Sequence, residues 1–325
     1  MRKPNLFIVG APKCATTTLH EYLARHPECY MSRIKEPAYF SRSHVREDIR
    51  LSVPYFHSET EYLKLFSDAT MKHKVVGESS TCYMRAESDL RELHAFSGDP
   101  KIIALVRDPV QLVSSYFHYM RHQGWEPLAS LQEAWEIQDE RCGGRVEAPS
   151  ANRPDSLAYR NVALLGHQAE RLYRMFGRDN VLILISDDLR RNPVATGREV
   201  QRFLELTYDA DIVVPLRNTA RGARFRSLDG LVKRHPKSVI TAKNRMKRMF
   251  GVKSFGIRRL IDRLNSIPLQ HSVDSRLRDE MRDFFRSDVA LLGRLLDRDL
   301  FALWGWEGNK DVGRTDSGSD LAPGG

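Results

Sequence analysis

The sequence predicts an α/β fold built on a parallel sheet, and three observations carry that expectation. Short, continuous β-rich apolar runs stand at Leu6–Val9, Lys74–Val76, Ile102–Val106 and Val181–Ile185. Segments of helical apolar spacing lie between them, and from about Asp187 the chain turns helical throughout. Strands apolar on both faces and separated by helices belong to a parallel sheet covered on both sides, a three-layer α/β/α sandwich.

Each element follows from its residues. The first run leads into Gly10-Ala11-Pro12-Lys13-Cys14-Ala15-Thr16-Thr17-Thr18, and a helix is expected from Leu19, with Tyr22 and Leu23 on the same face. Leu90 and Leu93 mark a helix after the second run. After the third, Asp108 is a good N-cap and Pro109 suits the first helical position, so a helix carrying Leu112, Phe117 and Met120 starts there. Ala169, Leu172, Tyr173 and Phe176 form a helix ahead of the fourth run. Val200, Phe203 and Leu204, then a long periodic segment from Ser272 to Leu300, make a helical C-terminal extension. The Gly-, Pro- and Arg-rich stretch Arg141–Asp155 reads as a mobile surface loop. Residues 308–325 are polar and Gly-rich and read as a disordered tail, which leaves residues 1–307 as a single domain without internal repeats.

Composition narrows the class. The 325 residues are 41% hydrophobic and 29% charged, which excludes collagen-like, disulfide-scaffold and wholly disordered chains. The longest purely apolar runs have five residues, against the ~20 needed to span a bilayer. Met1-Arg2-Lys3-Pro4 runs straight into the first strand with no room for a signal peptide, so a cytoplasmic protein is expected. Cys14, Cys29, Cys82 and Cys142 contain no C-x-x-C pair and are read as reduced thiols, not zinc ligands. Charge is uneven. Arg217 to Arg263 holds fifteen basic and two acidic residues, whereas the rest of the chain is net negative. Such a field attracts polyanions, phosphates or an anionic membrane surface, or it is a solvated helical face. No nucleic-acid motif accompanies it, so specific nucleic-acid binding is not expected. Nothing in the sequence speaks to oligomeric state.

A strand, a tight loop and a helix N-terminus make an anion site, because free backbone N–H groups and the helix dipole converge there. The nucleotide loop G-x-x-x-x-G-K-[ST], counted from Gly10, requires Gly at 15 and Lys at 16, where this chain has Ala15 and Thr16. The lysine stands three positions earlier, as Lys13. The architecture fits a phosphate loop while the triphosphatase signature fails.

A lysine so placed, followed by small residues and threonines, resembles the 5′-phosphosulfate loop, P-K-[AS]-G-T-[ST]-x-L, of sulfotransferases that use 3′-phosphoadenosine 5′-phosphosulfate (PAPS). Pro12, Lys13, Thr16, Thr17 and Leu19 match, and Ala15 replaces the family's glycine. Arg107, Pro109 and Ser115 are similar in spacing to the family's 3′-phosphate motif, R-[DN]-P-x-x-R-x-x-S-x-Y, with Leu112 and Phe117 as departures. Lys35-Glu36-Pro37-Ala38-Tyr39-Phe40 resembles the K-E-x-x-[FY]-F segment of the bacterial and heparan-type branch, whose glutamate is the general base. Asn218 to Arg224 is similar to a late basic loop over the 3′-phosphate. Glu78-Ser79 resembles a further segment in which a lysine usually follows the glutamate.

The resemblance implies a P-loop nucleoside triphosphate hydrolase-like sulfotransferase fold and PAPS as donor, without a metal. It implies that Lys13, Cys14, Ala15, Thr16, Thr17 and Thr18 hold the phosphosulfate, while Arg107, Ser115, Arg221, Gly222 and Arg224 hold the 3′-phosphate. Glu36 and Lys13 would be catalytic, Glu36 in surroundings partly desolvated by Cys29–Met31 and Tyr39-Phe40. Histidines 44, 57, 118 and 122 are rival bases. The acceptor would be a hydroxyl or amine of a carbohydrate, glycolipid or natural product. An ATP-dependent kinase on a P-loop-like fold, and a non-catalytic protein binding polyanions or a membrane surface through 217–263, are the competing readings.

Overall fold

A computed structural model describes residues 2–44, 56, 58–145, 153–212, 214, 221–223, 266–268 and 273–306. The sheet is parallel, with strands β1 (Leu6–Gly10), β2 (Cys29–Met31), β3 (Val75–Ser79), β4 (Lys101–Val106) and β5 (Val181–Ile185) in the order β2-β3-β1-β4-β5. Helix α1 (Thr16–Leu23) follows β1, and α2 (Glu59–Leu63) and α3 (Glu87–Ser97) flank β3. Helix α4 (Pro109–Gln123) follows β4. Four helices, α5 (Leu131–Glu136), α6 (Gln138–Cys142), α7 (Tyr159–Ala163) and α8 (Leu165–Phe176), lead to β5. Helices α9 (Ser186–Arg191) and α10 (Pro193–Phe203) come next, and a short antiparallel pair, β6 (Arg221–Ala223) and β7 (Ser266–Pro268), precedes α11 (Ser275–Leu296) and α12 (Leu300–Trp304).

The expected apolar strands form the centre. All of β1 is buried, as are Ile102 to Val106 of β4. Two expectations were too short. The second strand runs on through Gly77, Glu78 and Ser79, all buried, although Glu78 and Ser79 are polar. The first helix begins at Thr16 instead of Leu19. Strand β2 has only three residues, too few for a periodic pattern to mark it in the sequence.

The C-terminal helices are part of the packed body. Helix α11 lies against α8, where the buried Asp288 carboxylate accepts from the backbone N–H groups of Gly166 (2.8 Å) and His167 (2.9 Å). A Cβ at Gly166 would stand 2.3 Å from the Asp288 carbonyl oxygen, so only glycine permits the approach. The Trp306 indole N–H reaches back to Asp108 Oδ2 (3.2 Å), whose other oxygen caps α4 through the Val110 and Gln111 N–H groups.

The stretch Arg141–Asp155 is not wholly a surface loop. Arg141 forms a buried ion pair with Glu126, which also accepts from the Tyr159 hydroxyl, and Arg153 is buried between Asp155 and Asp89. Buried carboxylates draw in these arginines, because an unpaired charge there would be far costlier than the ordering of the chain. Residues 146–152 lie outside the described residues, as does the tail expectation for 308–325.

Candidate active site

The site forms at the carboxyl ends of β2, β3, β1 and β4, around the turn from β1 into α1. Gly10 is the last residue of β1, and a Cβ there would stand 2.7 Å from Met84 Sδ, so the strand end packs flush on its neighbour. Lys13 and Ala15 both take positive φ, 65° and 66°, which turns successive backbone N–H groups of Cys14 to Thr17 toward one side. Ala15 is the left-handed N-cap of α1. This explains why glycine suits the position: an alanine pays about 1–2 kcal/mol for that conformation. The Thr18 N–H is already given to the Ala15 carbonyl (3.0 Å) and its side chain is buried, so Thr18 supports the turn and offers no backbone donor to a ligand.

Two anchors fix the turn from behind. Ser186, at the start of α9, donates to a carbonyl acceptor at Cys14 (3.0 Å) and lies 2.9 Å from that of Val106. Arg107, at the end of β4, donates from Nη1 to the Lys13 carbonyl (3.1 Å) and from Nη2 to Gln111 Oε1 (2.7 Å). Arg107 Nε is buried with no hydrogen-bond partner among the described residues. Ser115 lies one turn beyond Gln111 on the same face of α4 and is half-buried. At the two departures from the motif, Leu112 and Phe117 are both buried in the core.

The Lys13 ammonium stands over the Tyr119 ring of α4, 4.8 Å from its centroid. Desolvation first, and the neighbouring Arg107 charge second, lower its pKa from the ordinary lysine value. Burial pushes the Cys14 thiol up to about 12, so it is an inert thiol of the loop.

Glu36 sits on the loop after β2 with φ at +59°, and its carboxylate is held by β3's exit. The Thr81 N–H donates to Oε2 (2.8 Å) and the Thr81 hydroxyl lies 3.2 Å from both oxygens. Its backbone N–H donates to the Ser79 carbonyl (2.8 Å). The Glu36 side chain, held by Thr81 and the Lys35 ammonium, keeps 41% of its surface exposed and is less desolvated than expected. Among the rival bases, His44 is paired with Asp89 (2.8 Å) and Ser88 (2.9 Å), and residue 57 lies outside the described residues. His118 rests edge-on against Phe117.

Beneath this loop lies a network that the residue pattern did not reveal. Glu78 is wholly buried and accepts from the hydroxyls of Tyr62 (3.1 Å), Tyr83 (2.8 Å) and Ser80 (2.7 Å). Burial raises its carboxyl to about 7 despite these three donors. Ser80 in turn accepts from the Ala38 N–H (2.9 Å), so Glu78 supports the Glu36 loop from below. His20, on α1, shares a hydrogen bond with Ser79 (2.8 Å) and is pushed down to about 4, by burial first and the Lys35 charge second. The one available signal was a glutamate inside an otherwise apolar strand.

The late basic segment is only partly described. The backbone of Arg221 and Gly222 runs in β6 beside α4, the helix carrying Ser115. Arg224 and nearly all of 217–263 lie outside the described residues.

Comparison with known proteins agrees with this architecture. A family model described as a sulfotransferase domain matches residues 3–245. The chain is 26% identical over 231 residues to the bifunctional heparan sulfate N-deacetylase/N-sulfotransferase 2 of Bos taurus, covering 69% of this chain and 24% of that protein. It is 29% identical over 156 residues to carbohydrate sulfotransferase 15 of Mus musculus, covering 36% of this chain and 27% of that protein. It thus spans about a quarter of the length of these curated relatives. The crystal structure of a sulfotransferase from Alicyclobacillus acidocaldarius superposes with a TM-score of 0.66 at 26% identity, covering 93% of this chain and 99% of that one. By the match over most of its length, the chain belongs to the sulfotransferase domain family.

Proposed function

We propose that the protein transfers a sulfuryl group from PAPS to a hydroxyl or amine of an acceptor, a carbohydrate, glycolipid or natural product. The observation that carries this reading is the meeting of three groups at one end of the sheet: the Lys13 turn, Arg107 fastened to it, and Glu36 linked to it through Lys35. Carbohydrate acceptors are supported by the names of the two relatives above.

In this reading the backbone N–H groups of Cys14 to Thr17 and the Thr16 and Thr17 hydroxyls cradle the 5′-phosphosulfate. Arg107 and Ser115 take the 3′-phosphate, with Arg221, Gly222 and Arg224 closing over it. The buried Nε of Arg107, without a partner among the described residues, is a donor in want of such an acceptor. The acceptor oxygen or nitrogen attacks sulfur in line, the bond from sulfur to the bridging phosphate oxygen breaks, and 3′,5′-bisphosphoadenosine leaves. Lys13 stabilises the charge that develops on the bridging oxygen. Glu36, exposed toward incoming acceptor, receives the proton. The transferred group carries less charge than a terminal phosphate, so the reading calls for no metal. A nucleotide kinase is disfavoured because Thr16 stands where its loop lysine belongs.

Thermal shift tests the donor. A ligand that binds only the folded state raises stability by mass action, so 3′,5′-bisphosphoadenosine is expected to raise Tm well above the shift given by AMP at equal concentration. Equal shifts would contradict the assignment of Arg107 and Ser115.

A further inference from the structure

Lys35 precedes the proposed base and has no assigned part in the reaction. Its ammonium is 2.8 Å from Glu36 Oε1 and 3.4 Å from Thr16 Oγ1, the first helical residue of the phosphate turn. The lysine thus reaches from the loop after β2, past the end of β3, to the end of β1.

The local backbone is arranged for this. Neighbouring side chains on an extended chain point to opposite sides. The left-handed conformation of Glu36, an uncommon one for a residue with a Cβ, brings Lys35 and Glu36 to the same side. A pair at the surface of this kind contributes little to stability, so stability does not account for the strained turn. The Thr16 contact is too long for a strong hydrogen bond, and the ammonium has three donors, so it can turn to a nearby anion without leaving Glu36. The last residue of β3, between the two loops, is Ser79, a neutral group bonded to His20 (2.8 Å). Lys35 supplies a cation on the acceptor side that Ser79 does not.

We propose that Lys35 is a second catalytic cation, its ammonium binding the non-bridging sulfuryl oxygens as the group passes from donor to acceptor. The proposal rests on the sulfuryl-transfer reading. Any sulfuryl group between the Thr16 turn and an acceptor activated by Glu36 must pass the atom that touches both. Lys35 keeps its protons throughout: the acceptor's proton goes to Glu36, and the S–O bonding pair leaves with the phosphate. Lys13 and Lys35 then flank the group, one on the leaving side and one on the entering side.

The alternative is that Lys35 only holds Glu36 in place, and a double-mutant cycle separates the two. Single-turnover transfer is measured for wild type, Lys35→Met, Glu36→Gln and the double variant, with binding of PAPS and of 3′,5′-bisphosphoadenosine measured for each. The expected result is a loss of roughly tenfold to a thousandfold for Lys35→Met, the scale of one preorganised donor, repeated by a similar factor in the Glu36→Gln background. Lys35→Met should also lose about tenfold in its preference for PAPS over the bisphosphate while binding the bisphosphate as wild type does, and Lys35→Arg should recover part of both. A loss that disappears in the Glu36→Gln background, with the nucleotide preference unchanged, reduces Lys35 to a clamp and overturns the proposal. Wild-type protein that binds neither nucleotide overturns the donor reading instead, and the proposal with it. Unchanged bisphosphate binding by Lys35→Met guards against a folding defect.

Discussion

Arg107 donates from Nη1 to the carbonyl oxygen of Lys13, 3.1 Å away, so the end of β4 holds the shape of the turn that leaves β1. Two segments about ninety residues apart are thereby one unit. Arg107→Ala is expected to weaken 3′,5′-bisphosphoadenosine binding by on the order of tenfold to a hundredfold, the loss of one or two charge-assisted hydrogen bonds. Calorimetric titration of both proteins checks this, and AMP affinity should change much less. Equal losses for both nucleotides would mean that Arg107 acts only on the turn.

Lys13 sits over Tyr119, on the turn proposed to hold the phosphosulfate. Lys13→Ala should lower turnover by about a hundredfold or more, while donor affinity falls less because the backbone donors of the turn remain. Steady-state kinetics with PAPS separate the two. Turnover near wild type would leave Lys13 a loop residue.

Glu36→Gln is nearly isosteric and keeps an acceptor for Thr81 while removing the proton-accepting charge. Turnover should fall by about a hundredfold to ten-thousandfold, with folding and bisphosphate binding unchanged. Single-turnover rates across pH are the readout. Wild-type rates would move the base to a histidine such as His118.

The parallel sheet was legible because β1, β4 and β5 are continuous apolar runs, and the phosphate turn because glycine, proline, lysine and threonines cluster at a strand end. Helix α4 was legible from Asp108 and Pro109, whose capping roles are local. What escaped depends on contacts far apart in the chain. Glu78 reads as the polar end of a strand until Tyr62 and Tyr83 are seen to enclose it. Arg153 reads as a loop residue until Asp89 is brought beside it. The reach of Lys35 to Thr16 depends on a positive φ at a non-glycine residue, which no periodicity announces.

Glu78 gives the protein a pH signature. Burial raises its carboxyl from 4.5 to about 7, so between these values the folded protein holds a proton that the unfolded chain has released. Stability attached to this group is therefore fully present below pH 4.5 and is lost as pH rises through 7. The loss is on the order of 3 kcal/mol by the linkage between pKa and free energy. His20, pushed down from 6.5 to about 4, has the opposite slope over part of that range, so the comparison must be with a variant. Urea unfolding of wild type and Glu78→Gln should show a stability difference that shifts against wild type as pH rises from 4.5 to 7. A constant difference across that range would contradict an uncharged carboxyl at the lower end.

The central claim is the transfer itself, and mass spectrometry reads it directly. The protein is incubated with PAPS and a panel of carbohydrate, amino-sugar, glycolipid and phenolic acceptors, with ATP and Mg²⁺ as a parallel arm. The account predicts 3′,5′-bisphosphoadenosine in step with an acceptor heavier by one sulfuryl group, formed about a hundredfold or more slowly by Lys13→Ala, and no phosphorylated product from ATP. A phosphorylated acceptor in the ATP arm, with PAPS left intact across the panel, would contradict it.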